Sequence, residues 1–393
     1  MNIGLTFITF LLSLGISLVL MPPFIKLMVK YRILDKAGGR KIHTGYTAHM
    51  GGIVIFISFA VAVVAMMFAY KSQDSLSRLI FIGIALTGML FVGIRDDMHN
   101  ISPWSKLFFE VIIGILMSYA GVRLTDLGGF LGIHEIPQWV GYSITTCFFI
   151  VVVNAYNLID GIDGQAGMQA VNVFFFCFLF YLLIVGDKPL DHNIASPVFM
   201  YISALAILGA VAGFLKYNWQ KARIFMGDAG SLFIGTLITV FIIVSVKYAM
   251  LCNKYDILHG EDVHNFLGCN LKATIAPFLF LFYLPMADTL RVFINRARHG
   301  KSPFHPDKTH IHHLFIRLGY SHQRCTLTTF TISFCVSLIG FVLAFFFDDN
   351  ICIPVIILSW FLYVQLLHLT VIKRVRGGVL RKNAKNLMFC NGK

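Results

Sequence analysis

Long apolar runs separated by short polar islands make up almost the whole chain. Runs of about 20 apolar residues are the mark of transmembrane helices. They predict about eleven spans, with ends uncertain by several residues. These lie near 3–25, 52–70, 79–95, 107–121, 137–155, 168–186, 197–216, 230–250, 272–294, 327–347 and 351–372. The expected fold is therefore an all-α polytopic membrane protein. Residues 1–372 form a single transmembrane domain and 373–393 a basic tail.

Charge gives this ladder a direction. Segments after the odd-numbered spans, with the basic residues at their edges, carry 17 Lys and Arg. Those after the even spans carry six, and the tail from Lys373 adds seven. Lys and Arg accumulate on the cytoplasmic side, so the N-terminus is expected outside and the tail in the cytoplasm. Of the 393 residues 57% are hydrophobic and 13% charged, against roughly 25% charged in a soluble domain. That excludes an ordinary soluble globular chain. The net charge of +13 suits anionic lipid and phosphorylated substrates, and equally the positive-inside excess. The first 20 residues carry no charge and no basic leader, which predicts a retained helix. Eight cysteines without a Cys-x-x-Cys pair indicate neither a zinc ribbon nor a redox pair. Cys252 and Cys269 share one loop, either bridged or as two thiols.

The polar islands all fall on the basic side. The first contains Arg40, Lys41, His43 and Thr44 and ends at Gly51-Gly52. The second opens with Asp96-Asp97 and runs through Ser102-Pro103 to Lys106 and Glu110. The third, Asn154 to Gly167, places Asn154, Asn157, Asp160 and Asp163 at successive i+3 steps. On a helix end that spacing drifts only about 60° per step, so the four are expected to converge. Oxygen ligands of this kind suit a hard cation such as Mg2+; a glycine-capped helix end with solvated acids is the plain alternative. The fourth island reads Phe225-Met226-Gly227-Asp228-Ala229-Gly230-Ser231. The fifth holds His305-Pro306-Asp307-Lys308-Thr309-His310-Ile311-His312-His313. Three readings stand for it: a zinc site, a solvated amphipathic turn, or a surface donating to pyrophosphate oxygens. Five acids in one cleft at the membrane edge would require a divalent cation to be tolerable.

Taken together, Asn-x-x-Asn-x-x-Asp-Gly-x-Asp-Gly, Phe-x-Gly-Asp-x-Gly-Ser and His-x-Pro-Asp-Lys-x-His-Ile-His-His resemble one family. It is that of the polyprenyl-phosphate N-acetylhexosamine-1-phosphate transferases, which also contains the phospho-MurNAc-pentapeptide translocase. The histidine loop is similar to that of the UDP-GlcNAc branch. The resemblance spans about 35–325.

It implies a Mg-dependent transferase, with Mn2+ as a substitute ion, in the bacterial cytoplasmic (inner) membrane. GlcNAc-1-phosphate would pass from UDP-GlcNAc to undecaprenyl phosphate on the cytoplasmic face, releasing UMP. That step initiates lipid-linked glycans of the cell wall or the lipopolysaccharide O-antigen. The resemblance implies Asp228 and Asn157 as metal ligands, with Asp160 helping to hold or orient the ion. Asp96 and Asp97 would sit beside the lipid phosphate, and Lys106 would contact phosphate groups. Asp163 and Phe225 match uracil-recognising positions. His310, His312 and His313 match the pyrophosphate and sugar side, and Lys41 and His43 join the substrate-binding set. Partners are thus a UDP-sugar, undecaprenyl phosphate and the bilayer, with no nucleic acid, and a homodimer is compatible. Tyr46, Ala48 and His49 stand where the family has Pro, Pro and Arg, and Gln165 where it commonly has Leu. The same reaction on another UDP-N-acetylhexosamine, or on UDP-MurNAc-pentapeptide, is the alternative. A divalent-cation transporter is the rival from another class; it would place its acids near mid-membrane.

Overall fold

Each apolar run folds as helix, in an order set by the polar islands between them. The structure, a computed structural model, describes residues 3–36, 46–70, 76–186, 195–219, 221–259, 271–298, 300 and 310–365. In chain order the helices are α1 (Ile3–Lys30), α2 (Gly52–Tyr70), α3 (Leu76–His99), α4 (Pro103–Tyr119) and α5 (Gln138–Ile159). Then come α6 (Gln165–Phe180), α7 (Pro197–Asn218), α8 (Gly227–His259), α9 (Ala276–Leu281) and α10 (Tyr283–Arg298). The last are α11 (Ile311–Arg317), α12 (His322–Phe346) and α13 (Asp349–Gln365). Eight of the described helices are long and apolar enough to cross a membrane: α1, α2, α3, α5, α6 with its π-helical extension, α7, α8 and α12. The protein is a multi-pass helical membrane protein.

Helix α8 is the hub. Its apolar window is wholly enclosed, whereas those of α1 and α12 are the least covered. It packs against α2, α3, α5 and α6. The few polar side chains it buries are satisfied within the bundle. Thr236 and Thr239 donate to the carbonyls of Leu232 and Gly235 one turn back, and Ser245 donates to the Tyr181 hydroxyl. Such pairing keeps buried hydroxyls from costing stability.

The expected ninth span, 272–294, is not one helix. It breaks at Phe282 (φ −111°, ψ 15°) into α9 and α10. Pro285 is the physical reason, since it lacks an N–H and its ring crowds the carbonyl four residues back. That carbonyl, of Leu281, instead accepts hydrogen bonds from Gln169 Nε2 (3.2 Å) and Asn172 Nδ2 (3.4 Å) on α6. Two buried amides thus replace the helical bond that the proline removes.

A second departure from a purely helical reading lies in the first polar island. Leu34–Lys36 (β1) and Tyr46–Ala48 (β2) pair as an antiparallel ribbon. The ribbon docks on the loop before α8. Phe225 N donates to Ala48 O, and Gly51 N to Phe225 O, each at 2.9 Å.

Candidate active site at the converging helix ends

The C-terminal ends of α3, α5 and α7 meet the N-terminal ends of α4, α6 and α8. Lys106 is placed by a short turn: Asn100 adopts φ 47°, Ser102 caps α4, and Pro103 opens it. Proline suits the first helical position because its missing N–H has no partner there. One turn in, Lys106 Nζ lies 3.0 Å from Asp228 Oδ2 and 3.2 Å from Asp96 Oδ2. Asn157 Nδ2 donates to Asp228 Oδ1 (2.8 Å) and to Ser231 Oγ (2.7 Å). Asp96 is fixed in turn by the Ile101 amide at 2.9 Å. Residues far apart in the chain thus form one ammonium–carboxylate cluster at the membrane edge.

Asp97 has a different position from its neighbour. Its Oδ1 accepts from Asp228 N (2.8 Å) and its Oδ2 from Ala229 N (3.0 Å). It therefore caps α8 across the bundle, where a carboxylate is favoured by the helix dipole. Its side chain is only 2% exposed, and His49 Nδ1 lies 3.4 Å from Oδ1. Gly227 makes this approach feasible: it has φ +75°, and a Cβ there would stand 2.6 Å from the Asp97 carboxylate. Of the two acids expected beside the lipid phosphate, Asp96 is in the Lys106 cluster. Asp97 instead positions Asp228.

The four polar residues from Asn154 to Asp163 do not converge on one point. Asn154 Nδ2 donates to Glu110 at 2.7 Å, Asn157 reaches Asp228, and Asp163 Oδ2 accepts from Ala222 N at 3.1 Å. Helix α5 ends at Ile159, so Asp160 and Asp163 lie in the turn beyond it and the i+3 spacing no longer keeps them on the face of Asn154 and Asn157. Asp160 is the C-cap of α5, its amide bonded to Asn157 O at 3.2 Å. Past it the turn is tied to the loop before α8: Gly164 N donates to Asn218 Oδ1 (2.7 Å), and Asn218 Nδ2 to Ile224 O (2.8 Å). Thr326 Oγ1 of α12 donates to the Asp163 carbonyl at 2.8 Å. Phe225 is half-buried, its ring edge-on to His49 with centroids 6.5 Å apart.

The histidine segment docks on the same turn. Buried Asp288 of α10 accepts from Ile311 N (3.0 Å), pairs with His310 Nδ1 (2.9 Å) and accepts from Arg291 Nη2 (2.6 Å). His312 is buried and stacks parallel to His310, with centroids 5.8 Å apart. Its ring packs so closely over Gly161 that a Cβ there would collide with it. Burial first, then the neighbouring His313 and His310 rings, hold the His312 pKa down to about 3. It is therefore neutral at physiological pH, and among the three only His313 is partly exposed. Lys41 and His43, named as candidate substrate-binding residues, lie outside the described residues, as does Cys269.

Sequence reasoning missed Asp288, Asn218 and the pairing of Glu110 with Asn154. Asp288 did carry a signal, because an acid inside an apolar run is costly unless partnered. Asn218 carried none, since nothing in its local spacing points to Gly164.

The oxygen-rich donor set fits a hard divalent ion. Asp228 is anchored by Asn157, and Asp96 stands across Lys106. Among the described residues no three His, Cys, Asp or Glu group tightly enough to hold an ion by themselves. Mg2+ is an ion commonly bound by one or two carboxylates plus water and substrate phosphates.

Fold and site together define a multi-pass helical membrane protein whose acid cluster is drawn from separate helix ends. Residues 79–246, which hold most of that cluster, match glycosyl transferase family 4, and the family resemblance read from the motifs is borne out. Over 338 residues the chain is 26% identical to a probable undecaprenyl-phosphate N-acetylglucosaminyl 1-phosphate transferase of Bacillus subtilis, covering 86% of this chain and 84% of that protein. It is 27% identical over 347 residues to the undecaprenyl-phosphate alpha-N-acetylglucosaminyl 1-phosphate transferase of Escherichia coli, covering 86% and 84%. It is 28% identical over 302 residues to a decaprenyl-phosphate N-acetylglucosaminephosphotransferase of Mycobacterium tuberculosis, covering 73% and 70%.

Proposed function

We propose that this protein transfers N-acetylglucosamine-1-phosphate from UDP-GlcNAc to undecaprenyl phosphate and releases UMP. The observation that carries the reading is Lys106 held between Asp96 and Asp228, with Asp228 oriented by Asn157. Names of the related proteins support N-acetylglucosaminyl 1-phosphate as the group transferred and undecaprenyl phosphate as its acceptor. In this reading an oxygen of the lipid phosphate attacks the sugar-bearing phosphorus. The bond from that phosphorus to the UMP oxygen breaks, and UMP leaves with the bonding electrons. The acceptor is already anionic, so the protein's task is to position two phosphates and offset their charge. Lys106 supplies the fixed cation. Asp96, bound to Lys106 and to the Ile101 amide, holds that ammonium in place, and Asp97 fixes the start of α8 and so Asp228. Asp228, Asn157 and Asp160 are the residues that would hold Mg2+, which when bound offsets diphosphate charge. Asp163 and Phe225 form the wall for the uracil, and His313 faces the sugar side.

A cation transporter is disfavoured because the acids gather at helix ends and not at mid-span. The test is direct. Purified protein with undecaprenyl phosphate, Mg2+ and a panel of radiolabelled UDP-sugars should yield labelled lipid and UMP with UDP-GlcNAc. Labelling from another UDP-N-acetylhexosamine alone would replace the sugar, and labelling from none would overturn the activity.

The site is assigned to the cytoplasmic face of the bacterial inner membrane, with the N-terminus outside. A reporter fused after Leu258 should then be active outside the cell, and one fused after Lys308 inside. The opposite pattern would invert the assignment.

A further inference from the structure

We propose that a second cleft, beside the loop between α7 and α8, binds the phosphate headgroup of an anionic phospholipid. The cleft has a volume of about 740 Å³ and lies where α6, α7 and α12 meet. Three cations line it, Lys216, Lys221 and Arg223, all exposed. Among the described residues none of the three is ion-paired with a carboxylate. Below them the lining turns apolar, with Met168 of α6 and Leu327 of α12. Cations above an apolar floor at the end of a membrane helix match a lipid phosphate with its acyl chains beneath it.

The loop is shaped to present these groups. Arg223 N donates to Tyr217 O at 2.9 Å, closing the turn, and Lys221 takes a left-handed backbone, φ 60°. Trp219 also lines the cleft, an amphipathic ring of the kind enriched at headgroup depth. The same indole packs on Gly164, where a Cβ would lie 2.8 Å from it. The neighbouring Ala222 amide holds Asp163. A headgroup in the cleft would therefore hold the loop that forms one wall of the acid-lined site. The inference does not depend on which sugar nucleotide the protein uses.

The test uses the full-length protein, stripped of lipid in detergent. It is reconstituted in phosphatidylcholine vesicles with and without about one-quarter phosphatidylglycerol. Retained lipid is read by native mass spectrometry and by titration. Wild type should retain phosphatidylglycerol. The variant K216Q/K221Q/R223Q should lose roughly a hundred-fold in apparent affinity, about five-fold per charge. K26Q/K30Q/R32Q removes the same charge from exposed residues near the same end of the bundle, outside the cleft, and should lose clearly less affinity than the cleft variant. Equal losses in both variants would reduce the effect to general surface charge and overturn the site. Displacement of the lipid by UDP-GlcNAc or by inorganic phosphate would overturn it too, making the cleft a soluble-phosphate site. Failure of the sugar assay with lipid retention intact would count against the transferase reading alone.

Discussion

Asp228→Asn is expected to lower UMP release by about a thousand-fold while leaving the protein folded. Asparagine keeps the shape and can still accept from Asn157. Its amide nitrogen, however, has no charge to offer Lys106, which now sits 3.0 Å from Asp228 Oδ2. The ammonium would then lean on Asp96 alone, 3.2 Å away. Any divalent ion would also lose an anionic ligand. Steady-state release of UMP, measured beside the elution profile and melting temperature of the variant, checks the result. Turnover within about ten-fold of wild type, in a folded variant, would remove Asp228 from the chemistry.

The second large effect is expected at Asp288, which no substrate needs to touch. Its buried carboxylate is bound by Arg291, His310 and the Ile311 amide. Asp288→Asn leaves Arg291 facing a neutral group and turns an amide nitrogen toward one of three donors. Breaking one partner of a buried charged network costs about 3–5 kcal/mol. The melting temperature should fall. The start of α11 should loosen, and with it the ring that covers Gly161. Because that ring lies on the Asp160–Asp163 turn, KM for the sugar nucleotide should rise more than kcat falls. A variant that melts like wild type and keeps its KM would show that His310 and His312 are held by other contacts.

Much of this architecture was legible in the sequence because burying a membrane helix requires a long apolar run. Spans such as 52–70 and 197–216 agree with α2 and α7 to within two residues. The break inside 272–294 was not legible. Pro285 gave the cause, but its remedy lies in Gln169 and Asn172, more than a hundred positions away. The site divides in the same way. Motif spacing picked out Asp96, Asp97, Asp160, Asp163 and Asp228, since acids at a membrane edge are conspicuous. Spacing could not tell that Asp97 turns toward the start of α8 while Asp96 turns toward Lys106. Adjacent residues on a helix point about 100° apart, and only packing decides what each meets. The first polar island marked His49 only as a departure from the motif it resembles; its contact with Asp97 became visible only in three dimensions.

The cap that Asp97 places on Asp228 and Ala229 spans 131 and 132 positions of chain. No fragment lacking either α3 or α8 can reproduce it, so the acid cluster comes together only once α8 has packed against α3. Half-built chains emerging into the bilayer would carry the acids but hold them apart, with no shared centre for them to form.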